Sequence, residues 1–233
     1  MTFVYLAIVL VLAIFVGHFA GRWLERRRRK AFERLAQELG LRYVARDDSV
    51  GKEYRFLDAL RWVKTAFAFN VLQGSYKGYQ VRVFDYHWQA RPGESKERGP
   101  QGMRNSFSFF LLEQETSFPE LLIYPRECYF DIGTDIGQML KLPKVDFESV
   151  EFSKAFFVRS ADRKFAYDVC HPRMMEYLLE HGDLSIEIEG PCIAMTVGSQ
   201  PGRRRRLKPA EIPERLNQLV EIRELLPDYL YQA

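Results

Sequence analysis

Apolar residues fill the start of the chain almost without interruption, with Val4, Leu6, Ile8, Val9, Leu10, Val11, Leu12, Ile14, Phe15 and Val16 at its centre and no formally charged side chain from Met1 to Gly21, taking His18 as neutral. As a helix this run is about 30 Å long, the thickness of a bilayer's hydrocarbon core. A buried helix of a globular domain seldom runs so far without a polar face, so the pattern predicts a transmembrane helix over residues 1–24. No Lys or Arg precedes it, whereas Arg22, Arg26, Arg27, Arg28, Arg29 and Lys30 follow. A cleaved signal peptide has the reverse charge order. By the positive-inside rule, Arg26, Arg27, Arg28, Arg29 and Lys30 determine the topology and leave the C-terminal part in the cytoplasm. The expected location is the inner cell membrane, single-pass. Trp23 stands where an interfacial anchor would, and Gly17 with Gly21 has the GxxxG spacing that allows helices to associate with one another.

Past the charges, Ala31, Phe32, Leu35, Ala36 and Leu39 keep a helical spacing up to Gly40, a C-cap signal. Residues 25–62 thus read as a basic juxtamembrane helical stalk and an irregular connection rich in Asp47, Asp48, Ser49 and Gly51. Residues 63–233 read as one cytoplasmic domain. Phe67, Phe69 and Val71 alternate, as do Tyr79, Val81 and Val83, which predicts a hairpin turning between Gly74 and Gly78. A third strand is expected over 105–113 and a short one over 121–124, ended by Pro125. The Pro- and Gly-rich stretch 90–102 should be a loop, and 131–140 leaves open whether there is a short helix.

Residues 152–159 read as a further strand. A helix should start at Pro172 and stop at Gly182. Ile186 and Ile188 alternate with Glu187 and Glu189, Gly190 and Pro191 suggest a turn, and residues 193–197 would return. A last helix is expected from about Pro209 to Leu226, its Ile212, Leu216, Leu219 and Val220 covering a sheet. Strands joined mostly by hairpins give an α+β fold: an N-terminal transmembrane helix, then an antiparallel, barrel-like sheet with a packed C-terminal helix.

Composition supports a packed domain. Eighteen Phe and twelve Tyr with 28% charged residues are not the make-up of a disordered tail. Three cysteines, Cys128, Cys170 and Cys192, without CxxC spacing, read as free thiols of a reducing compartment.

Three sequence stretches read as a set: Asn70, Val71, Leu72 and Gly74; then Phe84, Asp85 and Tyr86; then Asp146, Phe147 and Glu148 with, after a gap, Phe152, Ser153 and Lys154. The set resembles a family of uncharacterised bacterial membrane-anchored proteins, over roughly residues 54 to 220. The resemblance implies a membrane-tethered single domain and brings no catalytic residue. The Cys170–His171 pair before Pro172 departs from that pattern.

No Gly-rich phosphate loop, Gly-x-Ser-x-Gly elbow or His-Glu-x-x-His helix occurs. Asp85 and His87 project from one strand face and are the least implausible acid–base pair, against the plainer reading that both hydrogen-bond within the sheet. Cys170, His171, Cys128 and Cys192 lack paired metal-ligand spacing, so neither a metal nor a cofactor is expected. Arg203, Arg204, Arg205 and Arg206 form a basic loop that either is simply solvated or touches anionic lipid headgroups. Nucleic acid is not an expected partner. The expected function is a membrane-tethered interaction or scaffolding domain with an unknown protein partner, the runner-up a membrane-associated enzyme.

Overall fold

The computed structural model describes residues 2–53, 63–90, 104–126, 142–200, 203–204 and 206–232. The first helix, α1 (Thr2–Leu39), is continuous, and it ends where Gly40 donates to Gln37 O at 3.3 Å and Leu41 to Ala36 O at 2.8 Å. That pair of bonds satisfies carbonyls the helix would otherwise leave open, and it turns Leu41 back into the core. Phe32, Leu35 and Ala36 are buried against the sheet, so the stretch read as a stalk contributes to the core.

The membrane span is corrected here. Among the described residues, no helix is long and apolar enough to cross a membrane. One of the charges taken as a cytoplasmic flank, Arg28, instead helps α1 dock by reaching a buried carboxylate of the sheet, and Glu25 beside the run pairs with an arginine from the far end of the chain. The single-pass topology and the inner-membrane location fall with the span. The side chains of residues 2–14 lie outside those described.

The chain after Gly40 forms β1 (Arg42–Asp47), which takes in residues 45–47 of the stretch 45–62 expected to be irregular and pairs antiparallel with β2 (Val63–Tyr76). A short helix, α2 (Val50–Glu53), follows β1 and buries Val50. β2 and β3 (Tyr79–Ala90) form the expected hairpin. Its turn has Lys77 at φ 49° and Gly78 at φ 88°, the positive angles that match the twist of a tight hairpin. The strands expected at 105–113 and 121–124 are one long strand, β4 (Arg104–Pro125). It pairs with β3 through its first half and, at Leu121–Pro125, with β6 (Phe156–Ser160), which in turn pairs with the two-residue β5 (Lys144–Val145). β7 (Leu184–Gln200) runs beside both halves of β4, and the two-residue β8 (Arg203–Arg204) pairs with its end.

Gly190 and Pro191 therefore do not reverse the chain. Gly190, at φ 55°, sits opposite Phe118 at an irregularity where the β4–β7 ribbon bends. The mixed α+β class, the antiparallel sheet and the C-terminal helix are as expected. The sheet is open, however: β1, β5 and β8 stand at ends of the strand order, with no ladder closing a barrel among the described residues.

Four more helices follow. α3 (Val150–Ala155) occupies much of the expected strand 152–159, because the Ser149 hydroxyl accepts from Phe152 N at 3.3 Å and starts a helix there. α4 (Arg163–Val169) is likewise capped, by Asp162. α5 (Pro172–Glu180) and α6 (Ile212–Leu225) match the expected helices, the latter preceded by a 3-10 turn, Pro209–Glu211. The stretches 91–103 and 127–141 lie outside the described residues, as does Cys128.

Both faces of the sheet are buried. On one, Leu72, Val83, Phe110, Leu112, Leu121, Ile123 and Met195 pack with α1 and with α3–α6. On the other, Val71, Phe84, Tyr86, Phe107, Phe109, Leu111 and Tyr124 form an aromatic-rich layer with Val50 and Leu142.

Candidate functional site

Asp85 interrupts the apolar row of β3 that faces α1, and it is fully buried. A lone carboxylate there would be costly, and it persists because donors converge on it from four separate parts of the chain. Arg28 of α1 grips it as a fork, with Nε 3.0 Å from Oδ2 and Nη2 3.0 Å and 2.9 Å from Oδ1 and Oδ2. The Asn70 amide donates to Oδ2 at 3.0 Å and the Ser108 hydroxyl to Oδ1 at 2.7 Å. Arg206 brings its Nε to 3.4 Å from Oδ2.

Each donor is positioned by local structure. Asn70 lies at the irregularity between Phe69 and Leu72 in β2, at φ 52°, a left-handed angle that Asn tolerates better than most residues. Its carbonyl oxygen accepts from the Tyr43 hydroxyl at 3.2 Å, which ties β1 to the cluster. Ser108 stands opposite Asp85 on β4, and its oxygen also accepts from Leu207 N at 2.9 Å, fixing the chain just past the arginine run. Arg206 stacks over Phe69 at 5.0 Å and bonds both oxygens of Glu25, at 2.8 and 3.0 Å.

Two cations, Arg28 and Arg206, thus balance two anions, Asp85 and Glu25. The hydrogen bond from Arg206 holds the Glu25 carboxyl below its ordinary range, against the opposing effect of its partial burial. Burial works against the Arg206 cation, and the bond to Glu25 with the charge of Asp85 outweighs it, so its pKa is raised. The cluster is a clamp between α1, the sheet and the segment leading into α6.

The residues singled out in the sequence scatter accordingly. Asp85 and His87 share a strand face but do not join: Asp85 is occupied as above, while His87 Nδ1 lies 2.9 Å from Ser106 Oγ and its ring packs on Phe67 at 5.1 Å. Cys170 and Cys192 are buried free thiols, both pushed up by that burial, the reverse of an activated nucleophile. His171 Nε2 meets Leu225 O at 2.8 Å and joins the start of α5 to the end of α6. Among the described residues no group of three His, Cys, Asp or Glu could hold a metal ion.

Of the arginines expected to meet lipid, Arg206 is turned inward and engaged. Arg203 and Arg204 lie in β8, and the side chains of Arg203, Arg204 and Arg205 are outside those described. In the first run, Arg27 stacks over Trp23 at 3.9 Å and Arg29 pairs with Glu33 at 3.1 Å, while Arg28 belongs to the clamp.

No family model matches the sequence, and no curated protein does. Among solved structures, the fold is similar to the crystal structure of the mycobacterial trehalose monomycolate transport factor A, TtfA. The TM-score is 0.51 at 14% identity, over 86% of this chain and 95% of that chain. At that identity the likeness is one of fold alone.

Proposed function

We propose that this chain is a non-catalytic interaction domain that presents the outer part of α1 as a rigid arm, fixed to the sheet by the Asp85 clamp. The observation that carries the reading is the state of Asp85 itself: its oxygens are taken up by Arg28, Asn70 and Ser108, so the most reactive-looking carboxylate of the sequence has a mechanical task. Beyond the clamp, Phe15, Phe19, Trp23 and Leu24 of the arm are each more than half exposed, an unusual display of large apolar side chains. The solved protein of similar fold is by its name a transport factor. A part in transport would fit the same reading here.

The test has two arms. A photo-crosslinking residue at Phe19 or Trp23, in cells, should yield a protein adduct of one defined mass, while the same residue at exposed Tyr167 on α4 should not. Separately, His87→Gln should complement a deletion of the gene as well as the wild type does. A folded His87→Gln protein at normal level that fails to complement would revive the enzyme reading, and arm positions without any adduct would remove the interaction reading.

A further inference from the structure

A cleft of about 510 Å³ opens beside the β2–β3 turn, between Tyr79, Gln80, Glu113 and Gln114 on the sheet and Arg223 and Tyr231 from the C-terminal part of the chain. Its donors are unusual. The Arg223 guanidinium lies over Tyr231 at 3.8 Å and near Tyr79 at 5.5 Å, and its buried Nε has no hydrogen-bond partner among the described residues. Gln114 accepts from the Tyr231 hydroxyl at 2.9 Å through its oxygen, which leaves its buried Nε2 without an acceptor in the same sense. Burial pushes the Tyr231 hydroxyl up to about 12, so it stays protonated and able to donate to that oxygen. Two N–H groups that lack acceptors in one cleft call for oxygen from elsewhere.

The ladder beside them is interrupted. β3 leaves β4 at the Gln80–Glu113 pair, β6 joins it only at Leu121, and the β7 pairing breaks between Glu113 and Phe118. Residues 114–117 of β4 thus have no ladder partner among the described strands.

From these two features we infer a binding site for the C-terminal end of a partner peptide, its chain extended along residues 114–117 of β4 and its terminal carboxylate received by Arg223 and Gln114. A guanidinium seated over an aromatic ring keeps its planar N–H fork, whose geometry suits a carboxylate. Glu113 and Glu115 nearby oppose a phosphate dianion more than a carboxylate monoanion. Strand addition with capture of a terminal carboxylate is an established way for a sheet edge to bind peptide. The inference rests on the interaction-domain reading and specifies a second contact surface for it, distinct from the α1 arm.

The experiment follows the Arg223 Nε–H and Gln114 side-chain amide resonances of the full chain during titration with N-acetyl-Val-Thr-Val. The same peptide as its C-terminal amide, acetate and inorganic phosphate serve as comparisons. The free-acid peptide should shift both resonances, and the amide and acetate should each bind at least tenfold more weakly. Gln114→Leu should weaken the peptide several-fold. Read at the Gln114 amide, Arg223→Gln should abolish the shift and Arg223→Lys should retain part of the affinity, while Gln114→Leu is read at the Arg223 Nε–H, with thermal melts confirming each fold. Acetate binding as tightly as the peptide, phosphate binding in preference, or shifts in neither resonance would overturn the site. Such failure leaves the α1 adducts standing, whereas their loss with the peptide shifts intact counts against the arm and not against the cleft.

Discussion

Arg28 and Asp85, 57 positions apart, meet through three hydrogen bonds of 2.9–3.0 Å, and this contact joins the first helix to the middle of the sheet. The Asp85 carboxylate is wholly buried, and the Arg28 side chain is 16% exposed. Truncating one partner therefore strands the other's charge in the core. Asp85→Ala should lower stability by about 3–5 kcal/mol. Arg28→Ala combined with it should cost clearly less than the sum of the single changes, which urea unfolding of the four proteins would measure.

Asn70 has two tasks that substitution can separate. Asn70→Gly keeps the left-handed backbone at φ 52° and loses the bonds to Asp85 and Tyr43, whereas Asn70→Ala loses the bonds and strains the backbone. Alanine should therefore be worse than glycine by about 1 kcal/mol. The reverse order in denaturant midpoints would show that the irregularity in β2 relaxes without strain.

The Glu25–Arg206 pair gives the clamp an acid limit. The folded-state pKa of Glu25 is depressed, so its contribution is present above the ordinary carboxylate value of 4.5 and is lost as pH falls through the lower folded value. Glu25 is more than half exposed on its side chain, which keeps the effect within the roughly 0.2–1 kcal/mol of such pairs. Glu25→Gln should be less stable than the wild type at pH 7, and the gap should close in the acid range. A gap that persists at low pH would mean that size or packing, not charge, is what Glu25 supplies.

Cys170 and Cys192 should be inert while the fold holds. Peptide-level mass spectrometry after treatment with a thiol reagent should find both unlabelled in the native protein and both labelled in urea. His171→Asn, which disturbs the bond to Leu225 O, should cost about 1 kcal/mol without exposing Cys170 to the reagent.

Local signals in the sequence did well where the fold is local. The β2–β3 hairpin followed from alternation around Gly74 and Gly78, α5 from Pro172 at its first position, and α6 from its apolar stripe. β1 was missed because Arg42, Arg46 and Asp47 give an edge strand no regular polar face. The helix α3 was hidden by Phe152, Phe156 and Phe157, which suit a strand, while the deciding event was one hydroxyl, that of Ser149. Gly190 and Pro191 read as a turn because such pairs usually are; here the glycine absorbs a bend in a strand that β4 holds in place. The clamp was illegible for a different reason. Arg206 and Glu25 lie 181 positions apart, and arginine runs invite explanation by solvent or membrane. Nothing local in either run distinguishes Arg28 or Arg206 from its neighbours.

The burial of both sheet faces gives the Asp85–Ser108 pair one more consequence. Along the middle of β4 the residues pointing to either side are large and apolar, with Phe109 and Leu111 on one face and Phe110 and Leu112 on the other. Sliding this stretch of β4 by a single residue would exchange which of its side chains face each layer at little cost in its buried apolar area, so oil and shape alone define its alignment weakly. A slipped pairing would instead place Asp85 away from Ser108 and from Arg28, with its charge uncompensated. We infer that the polar group in the middle of the sheet acts as an alignment key. Replacing Asp85, Asn70, Ser108 and Arg28 together by apolar residues of similar volume should leave a stable protein with more than one alignment, seen as doubled amide resonances in β3 and β4; a single set of resonances would show that the aromatic packing suffices.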